Sequence, residues 1–324
     1  GGRALLRCAV LDDYQDVSRT MADWSALADR VAVTVFTEPM TDRLALPKAL
    51  EPFDIVVAMR ERTPFDQALF AKLHRLKLLV TTGMRNASID LDAAATAGVT
   101  VCGTEGYASS TAELTWGLIL ALMRRIPQEN ALFHTGGRWQ TSLGRDLRGL
   151  KLGIIGYGKL GARVARFGHA FEMQVGAWSR SLTPDRAAAA GIGHYPDLDA
   201  LLADADVASI HLVLNDGTRN LIGARELGLM KPSAVLVNTS RGPIVEEQAL
   251  VAALRENRIA GAALDVYDRE PLPPRHRLRG LDNLVATPHL GYVTENTYRI
   301  FYGQAVEDIA AWLDGAPVRV LAGA

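Results

Sequence analysis

Three charged or titratable side chains stand in short motifs that each come directly after a predicted strand. Arg241 lies in VNTSRGPIV, Glu270 in LDVYDREPL and His289 in ATPHLG. The carboxyl ends of parallel strands meet at one sheet edge, where open α/β folds bind ligands, so we expect these side chains to lie close together. A base, a carboxylate that orients it and a guanidinium that holds an anion suit redox chemistry on a hydroxy or keto acid. The alternatives are a structural ion pair between Arg241 and Glu270, and a buried histidine at His289.

A glycine-rich segment, LGIIGYGKLG, lies earlier in the chain, between an apolar run and a stretch with helical spacing. Gly156 allows a tight turn, Gly158 lets the backbone approach a pyrophosphate and Gly161 lets the helix pack on the strand. The amide groups at the start of the helix, where Lys159 and Leu160 stand, would then face the anion. A glycine-rich turn can be only a turn, but this context predicts a dinucleotide site.

The next predicted strand ends in VGAWSRS, where dinucleotide-binding proteins usually carry an acidic residue about twenty positions after the glycines. A carboxylate there accepts hydrogen bonds from the ribose hydroxyls of NAD and repels a 2′-phosphate. Ser179, Arg180 and Ser181 stand there instead, and a guanidinium binds phosphate through charge-assisted hydrogen bonds. We therefore predict that NADP(H) is preferred to NAD(H). The alternative is that Arg180 points into solvent and NAD is accepted.

These residues need a framework of strands and helices, and the apolar pattern predicts one. Short Val-, Ile- and Leu-rich runs alternate with helical spacing, first in ALLRCAVL, VAVTVF, DIVVAMR, LKLLVTT and VTVCG. Six later runs are KLGIIGY, MQVGAWS, ADVASIHL, SAVLVNTS, GAALDVY and NLVATPH. Between the two sets, SSTAELTWGLILALMRRI predicts a helix with a Ser/Thr N-terminal cap, and TENTYRIFYGQAVEDIAAWLDG predicts an amphipathic helix that ends at Gly315. The pattern predicts an α/β protein with doubly wound parallel sheets.

Length, charge and cysteine content argue against several classes of protein. The 324 residues carry a net charge of −1, which does not favour binding to nucleic acid or to an anionic membrane. No apolar run approaches the ~18 residues of a membrane span, and the acidic start does not resemble a signal peptide. Cys8 and Cys102 both lie in apolar runs, so we expect buried thiols and a cytoplasmic protein. No spacing of histidines, cysteines and carboxylates predicts a metal site.

The ordered set of GxGxxG, NTSRG, DVYDREP and TPHLG resembles the D-isomer-specific 2-hydroxyacid dehydrogenase family, in particular its glyoxylate and hydroxypyruvate reductase-like members. The likeness covers almost the whole chain. It implies a Rossmann nucleotide-binding domain at residues 104–291, inserted into a flavodoxin-like substrate-binding domain formed by residues 1–103 and 292–324. It also implies a homodimer formed through the nucleotide-binding domains.

The resemblance implies a role for each motif residue. Arg241 would bind the substrate carboxylate and polarise the carbonyl beside it, because its planar fork suits that anion. His289 would donate a proton to the carbonyl oxygen in reduction and remove it in oxidation, and Glu270 would bond the other imidazole nitrogen. Asp265 would face the nicotinamide amide. The rest of the cofactor would be lined by Thr111, Thr239 and the segment that begins at His211.

In the family, backbone N–H groups of a glycine-containing loop after the fourth strand bind the substrate carboxylate. That loop is here TTGMRNASID, which points to Gly83 and Met84, with Arg85 and Asn86 nearby. Arg60 falls at the end of another strand, in VAMRERTP, and either reaches the acid or is solvated at the surface.

Three departures from the family pattern concern substrate size and loop shape, not the type of reaction. The usual aspartate two residues past the Gly83–Met84 pair is not evident. Val213 stands where proline is common, and Tyr292 follows PHLG where a small residue is frequent. The implied function is the D-specific reduction of glyoxylate, hydroxypyruvate or a similar small 2-keto acid with NADP(H) or NAD(H). The alternatives are a phosphoglycerate dehydrogenase without a regulatory domain and a dinucleotide-sensing corepressor on the same fold.

Overall fold

The computed structural model describes residues 3–323, and the chain folds into two compact units. Residues up to Tyr107 and from Val293 onward form the first, which we call the discontinuous unit. Ala108–Tyr292 form the second, which we call the central unit. No helix within residues 3–323 is long and apolar enough to cross a membrane.

The strands and helices are numbered along the chain. The strands are β1 (Leu6–Val10), β2 (Val31–Val35), β3 (Ile55–Ala58), β4 (Leu78–Thr81), β5 (Thr100–Cys102), β6 (Lys151–Ile155), β7 (Gln174–Trp178), β8 (Gly193–His194), β9 (Val207–Ile210), β10 (Val235–Asn238), β11 (Gly261–Leu264), β12 (Leu284–Ala286) and β13 (Val320–Ala322). The helices are α1 (Ser18–Met21), α2 (Leu46–Leu50), α3 (Gln67–Lys72), α4 (Leu91–Thr96), α5 (Ser109–Met123), α6 (Ile126–Thr135), α7 (Lys159–Ala170), α8 (Pro184–Ala189), α9 (Leu198–Asp204), α10 (Ala224–Leu229), α11 (Glu247–Arg255) and α12 (Glu295–Leu313).

The sheet of the discontinuous unit has the order β13-β5-β4-β3-β1-β2. Strands β1 to β5 pair in parallel in the order 2-1-3-4-5, as in flavodoxin-like sheets, and β13 pairs antiparallel with β5. Because β3 and β4 are neighbours, the loops that follow them lie side by side at the carboxyl edge. The sequence pattern does not predict β13, because three residues are too few to establish a period.

The sheet of the central unit is entirely parallel and has the order β12-β11-β10-β9-β6-β7-β8. Counted within the unit, this is the Rossmann order 3-2-1-4-5-6 with a seventh strand at one edge. All six predicted strands are present, and the two-residue β8 is an addition. The strand order reverses between β6 and β9, so the loops after these strands flank the crevice in which such folds bind ligands.

The ends of the two long helices test the predicted caps. At α12 the prediction is correct: the Thr294 hydroxyl oxygen accepts the N–H of Thr297 at 3.2 Å, and Gly315 follows the helix with a φ of 77°. The predicted Ser/Thr cap of α5 is wrong. Ala108 occupies the cap position without a side-chain bond, and Ser109, already in the first turn, donates to Glu113 Oε2 at 2.9 Å. The serine hydroxyl is thus bound to a carboxylate one turn later.

Apolar side chains cover both faces of the central sheet, which explains the near-continuous hydrophobic runs of its strands. On β6, Leu152 and Ile154 belong to one buried cluster and Ile155 to the other. The fold class is therefore confirmed as two parallel-sheet α/β domains. In the discontinuous unit Cys8 and Cys102 are both buried, and burial raises the pKa of each thiol to about 12. They are packing residues with little thiolate character.

Candidate active site

The turn between β6 and α7 has the backbone that a pyrophosphate site needs. Gly156 has a φ of +91°, and a Cβ at this position would lie 2.1 Å from the carbonyl oxygen of His211. A Cβ at Gly161 would lie 2.2 Å from the oxygen of Gly156, so the first turn of α7 is pressed against the loop. At Gly158 a Cβ would meet no atom within 4 Å, and no side chain caps the helix. Helix N–H groups and open space together suit a bound diphosphate.

The loop after β7 contains serine and arginine side chains with neutral partners. Ser179 Oγ accepts the N–H of Leu182 at 3.0 Å, and Arg180 Nη2 donates to the carbonyl oxygen of Gly217 at 2.8 Å. Arg186 Nη1 donates to the carbonyl oxygen of Ser181 at 3.3 Å. Within residues 3–323 Arg180 forms no ion pair, so its charge is not neutralised by a carboxylate.

The central unit brings His289 and Glu270 into direct contact. His289 Nδ1 is hydrogen-bonded to Glu270 Oε1, and the other carboxylate oxygen accepts the N–H of Tyr267 at 3.3 Å. The side chains are 24% and 32% exposed. Because Nδ1 is engaged, Nε2 is the imidazole nitrogen left to exchange a proton with a ligand. His289 also has a φ of 54°, a left-handed conformation that is uncommon for a residue with a side chain.

Asp265 holds the loop that carries His289. Its Oδ1 accepts the hydroxyl of Thr287 at 2.7 Å and the N–H of Leu290 at 2.6 Å, and its Oδ2 accepts the N–H of Gly291 at 2.9 Å. Asp265 is fully buried, and burial raises the pKa of its carboxyl, opposed by these three hydrogen bonds. The sequence does not predict this support of the loop, and the contact of Asp265 with a nicotinamide amide stays a prediction.

Arg241 follows β10, and its loop is fixed by a buried asparagine. Asn238 Nδ2 donates to the carbonyl oxygen of Arg241 at 2.9 Å, and Asn238 Oδ1 accepts the N–H of Ser240 at 3.0 Å. The next residue, Gly242, lies so close to Tyr267 that a Cβ would be 2.1 Å from the Tyr267 carbonyl carbon. The loop of Arg241 therefore contacts, backbone to backbone, the loop that carries Glu270.

Two further predicted residues lie beside the histidine loop. Thr111 Oγ1 lies 3.0 Å from the position that a Cβ of Gly291 would occupy, so α5 packs against this loop. The ring of Tyr292 stands edge-on to the His289 imidazole, with 5.2 Å between ring centroids. The Tyr292 ring therefore occupies space directly beside the His289 imidazole.

The remaining predicted cofactor residues lie at the ends of β9 and β10. Thr239 Oγ1 and Thr115 Oγ1 are 2.9 Å apart, which ties the β10 loop to α5. His211 Nε2 is 2.8 Å from Ser209 Oγ, and burial lowers the pKa of His211 to about 3, so its imidazole is neutral. His211 contributes its backbone carbonyl to the glycine turn, where it excludes a side chain at Gly156.

In the discontinuous unit, the loop after β4 is bonded to Thr104. Gly83 has a φ of +85°; its N–H donates to Thr104 Oγ1 at 2.8 Å, and its carbonyl oxygen accepts the N–H of Thr104 at 2.9 Å. The N–H of Gly83 is therefore bonded within the protein, and the binding of a substrate carboxylate by this loop stays a prediction. Within residues 3–323, the N–H groups of Met84 and Arg85 form no hydrogen bond, and both side chains are exposed.

Arg60 lies against this same loop. It follows β3 with a φ of 47°, and its N–H donates to Thr82 Oγ1 at 2.8 Å. A Cβ at Gly83 would lie 1.8 Å from Arg60 Nη1, so the glycine makes room for the guanidinium. Asn86 Nδ2 donates to the carbonyl oxygen of Arg60 at 2.6 Å. Arg60 is half-buried, and its guanidinium rests on the loop predicted to bind the substrate.

Two supporting residues are absent from the sequence prediction. Asn238 stands inside the quoted motif VNTSRGPIV, and an asparagine that ends an apolar strand is a signal for a side chain that bonds the following turn. Thr104 carries no comparable signal, because its partner Gly83 is distant in the sequence and only the tertiary structure brings the two together.

Known proteins resemble this chain in sequence and in structure. Residues 116–291 match the family described as D-isomer specific 2-hydroxyacid dehydrogenase, NAD binding domain. A glyoxylate reductase of Aeropyrum pernix is 39% identical over 86% of this chain and 85% of its own length. A D-3-phosphoglycerate dehydrogenase of Archaeoglobus fulgidus is 36% identical over 81% of this chain and 50% of its own length.

A solved structure is similar to nearly the whole chain. The phosphoglycerate oxidoreductase of Vibrio cholerae O395 is 39% identical, with a TM-score of 0.91 over 96% of this chain and 100% of that one. The predicted family and the predicted enzyme class are thereby confirmed. The chain belongs to the D-isomer-specific 2-hydroxyacid dehydrogenase family and is an oxidoreductase that uses a nicotinamide dinucleotide.

Proposed function

We propose that the protein reduces a small 2-keto acid such as glyoxylate or hydroxypyruvate to the D-2-hydroxy acid. The observation that carries the proposal is the His289–Glu270 contact, which leaves Nε2 as the proton-exchanging nitrogen, beside a loop that carries an arginine. The glyoxylate reductase of Aeropyrum pernix supports this substrate class.

Each residue has one task in the proposed reaction. Arg241 binds the carboxylate of the keto acid through its planar fork and draws electron density from the adjacent carbonyl. The imidazolium of His289 gives its Nε2 proton to the carbonyl oxygen, and Glu270 stabilises the imidazolium and holds the ring in place. The bound cofactor supplies the hydride. In oxidation His289 takes the proton from the hydroxyl group.

The test is the oxidation of NADPH and NADH, followed by absorbance, with glyoxylate, hydroxypyruvate and pyruvate. We expect His289→Ala to lower kcat by about 10² to 10⁴ while cofactor affinity is unchanged. Arg241→Lys should raise KM for the keto acid and lower kcat, because an ammonium cannot form the bidentate contact. A His289→Ala variant with most of the wild-type kcat would contradict the assignment of the proton donor.

A second candidate is the oxidation of D-3-phosphoglycerate. Arg60 lies against the loop after β4 and Arg85 lies within it, and their positive charge suits a substrate that carries a phosphate as well as a carboxylate. The relatives from Archaeoglobus fulgidus and Vibrio cholerae bear names of this kind. The two candidates are distinguished by kcat/KM for D-3-phosphoglycerate and glycolate in the oxidative direction. Arg60→Ala should reduce kcat/KM for the phosphorylated acid alone.

We further propose that NADPH is preferred to NADH. No carboxylate stands at the end of β7, and Arg180, Arg186 and the Ser179 hydroxyl offer donors to a 2′-phosphate. One charge-assisted bond of about 1.5–3 kcal/mol corresponds to one to two decades of affinity.

The cofactor test compares kcat/KM for NADPH and NADH. We expect Ser179→Asp/Arg180→Ala to reverse the preference, because the new carboxylate accepts the ribose hydroxyls and repels the phosphate. Arg166→Ala removes the same charge from an exposed position of α7 and should leave the ratio unchanged. Equal or NADH-favouring efficiency in the wild type would refute the proposal.

We propose, finally, that the protein is a homodimer formed through the central unit. Phe133 of α6 and Trp139 of the loop that follows it have ring centroids 6.4 Å apart and are 66% and 76% exposed, and Leu143 in that loop is 96% exposed. Glu129 orders the loop by accepting the N–H and hydroxyl of Thr141. Exposed aromatic clusters on an ordered framework are typical of interfaces. Trp139→Arg should convert the dimer into a monomer in light scattering, whereas Leu44→Arg, at an exposed leucine of the discontinuous unit, should not.

A further inference from the structure

The loop after β4 rests on residues 103–105. Thr104 accepts from the Gly83 N–H and donates to the Gly83 carbonyl oxygen, which fixes both peptide groups of the glycine. A Cβ at Gly103 would lie 2.6 Å from the Gly83 oxygen and 3.0 Å from Met84 Sδ. Because the nearer contact is with backbone, a side chain at position 103 would press against the loop itself.

Residues 103–105 are held on their other side by α12 and the segment around β13. The N–H of Gly103 donates to the carbonyl oxygen of Arg319 at 2.9 Å. The Leu321 side chain lies 3.3 Å from the position of a Cβ at Gly103, and the N–H of Glu105 donates to Gln304 Oε1 at 2.7 Å. The support therefore runs from α12 and β13 through residues 103–105 to Gly83.

Arg319 connects α12 to the segment that precedes β13. Its Nη1 donates to Asp308 Oδ1 at 2.7 Å and its Nη2 to Glu307 Oε2 at 2.6 Å. The Asp308 side chain is fully buried, so water screens this pair far less than a surface pair. Arg319 has a φ of 50°, which a residue with a side chain keeps only where its surroundings hold it. Two ion pairs to α12 provide that constraint.

We propose that Arg319 is a positioning residue for the substrate loop, defined as Gly83–Arg85. The ion pairs fix the Arg319 carbonyl, this carbonyl fixes Gly103, and Gly103 and Thr104 fix Gly83. The direction of the Met84 and Arg85 N–H groups follows from the orientation of Gly83. The inference rests on the proposed function, in which this loop binds the carboxylate of the keto acid.

The first test removes the ion pairs. Arg319→Met should raise KM for the keto acid about 10-fold, while kcat and KM for the cofactor change less than about twofold. Arg319→Lys keeps the charge near Asp308 and should give an intermediate KM. Arg30→Met is the matched control: Arg30 pairs with Asp314 at the end of α12 at 2.8 Å, away from residues 103–105, and its loss should leave KM unchanged.

Arg319→Met leaves the buried Asp308 without its partner and can therefore fail to fold. The second test perturbs the same support and leaves no buried charge unpaired. Gly103→Ala places a methyl group against the Gly83 backbone and should raise KM for the keto acid in the same way. Gly106→Ala is the control, because a Cβ there meets no atom within 4 Å.

Hydrogen exchange separates this proposal from the proposed function, because it needs no turnover. In Arg319→Met and Gly103→Ala, the hydrogen-bonded amides of Gly83 and Thr104 should exchange about 10-fold faster than in the wild type, and those in both control variants should not. Unchanged exchange in both variants overturns the proposal. Faster exchange with unchanged KM overturns the link to substrate binding. A wild type that reduces no keto acid contradicts the proposed function, while the exchange rates still decide whether Arg319 holds the loop.

Discussion

The contact between Gly242 and Tyr267 predicts a strong effect of a single methyl group. A Cβ at position 242 would lie 2.1 Å from the Tyr267 carbonyl carbon, 2.4 Å from its oxygen and 2.6 Å from its Cα. All three atoms belong to the backbone, so no change of rotamer relieves the clash. Carbon atoms pack at about 3.5 Å, which requires the two loops to separate by roughly 1 Å. A displacement of this size between Arg241 and Glu270 should lower kcat/KM by about 10²-fold.

The assay is steady-state kinetics of Gly242→Ala at saturating cofactor, with cofactor affinity measured by fluorescence titration. The affinity should stay near the wild-type value, because the glycine turn at residues 156–161 is not perturbed. Gly280→Ala is the control. Gly242 lies in a short 3-10 helix (Gly242–Ile244) and Gly280 in another (Arg277–Gly280), but a Cβ at Gly280 would meet no atom within 4 Å. If Gly242→Ala keeps more than half of the wild-type kcat/KM, the activity does not depend on the close contact between the two loops, and the reasoning is refuted.

Three further perturbations follow from the described contacts. Asp265→Asn places an amide NH₂ donor opposite an N–H or hydroxyl group that the carboxylate now accepts. The free energy of unfolding, measured with urea, should fall by about 2–3 kcal/mol, and kcat should fall with it. Equal stability would contradict the role of Asp265. Asn238→Ala frees the Arg241 loop, so KM for the keto acid should rise while the cofactor Kd is constant. Burial raises the pKa of Asp308 to about 7 in the folded chain, so its protonated form favours folding below the unfolded pKa near 3.9, and this contribution is lost as the pH rises through 7. Between pH 4 and pH 8 the free energy of unfolding of the wild type should therefore fall relative to that of Asp308→Asn, although the pairing with Arg319 opposes the raised pKa, and parallel profiles would exclude this titration.

The parts of the fold that the sequence predicts are those encoded by local patterns. Buried parallel strands give continuous apolar runs, and the six predicted strands of the central unit are all present. The contact between His289 and Glu270 is predictable because both residues follow neighbouring strands, β11 and β12, whose carboxyl ends must adjoin. The glycine turn is predictable because only glycine permits the φ of +91° at position 156.

The parts that the sequence does not predict depend on partners that are distant in the chain. The Gly83 amide is used by Thr104, and the Asp265 oxygens by residues 287–291. In each case a polar group that looks available for a ligand is occupied within the protein, because a buried donor or acceptor must be satisfied. The predicted cap of α5 is wrong for a related reason. The Ser109 hydroxyl bonds the Glu113 carboxylate and does not cap the helix backbone.

The loops that follow β3 and β12 share one physical feature. Arg60 and His289 have φ values of 47° and 54°, and such a backbone costs on the order of 1 kcal/mol for a residue with a side chain. Each loop is held by hydrogen bonds that it donates to a buried acceptor, Thr82 for Arg60 and Asp265 for the histidine loop. A glycine would adopt either backbone without strain but would remove the imidazole or the guanidinium. The strain at His289 is therefore tied to a side chain that the proposed reaction requires, and the strain at Arg60 to one that the second candidate reaction uses. The surrounding hydrogen bonds hold each loop in one conformation.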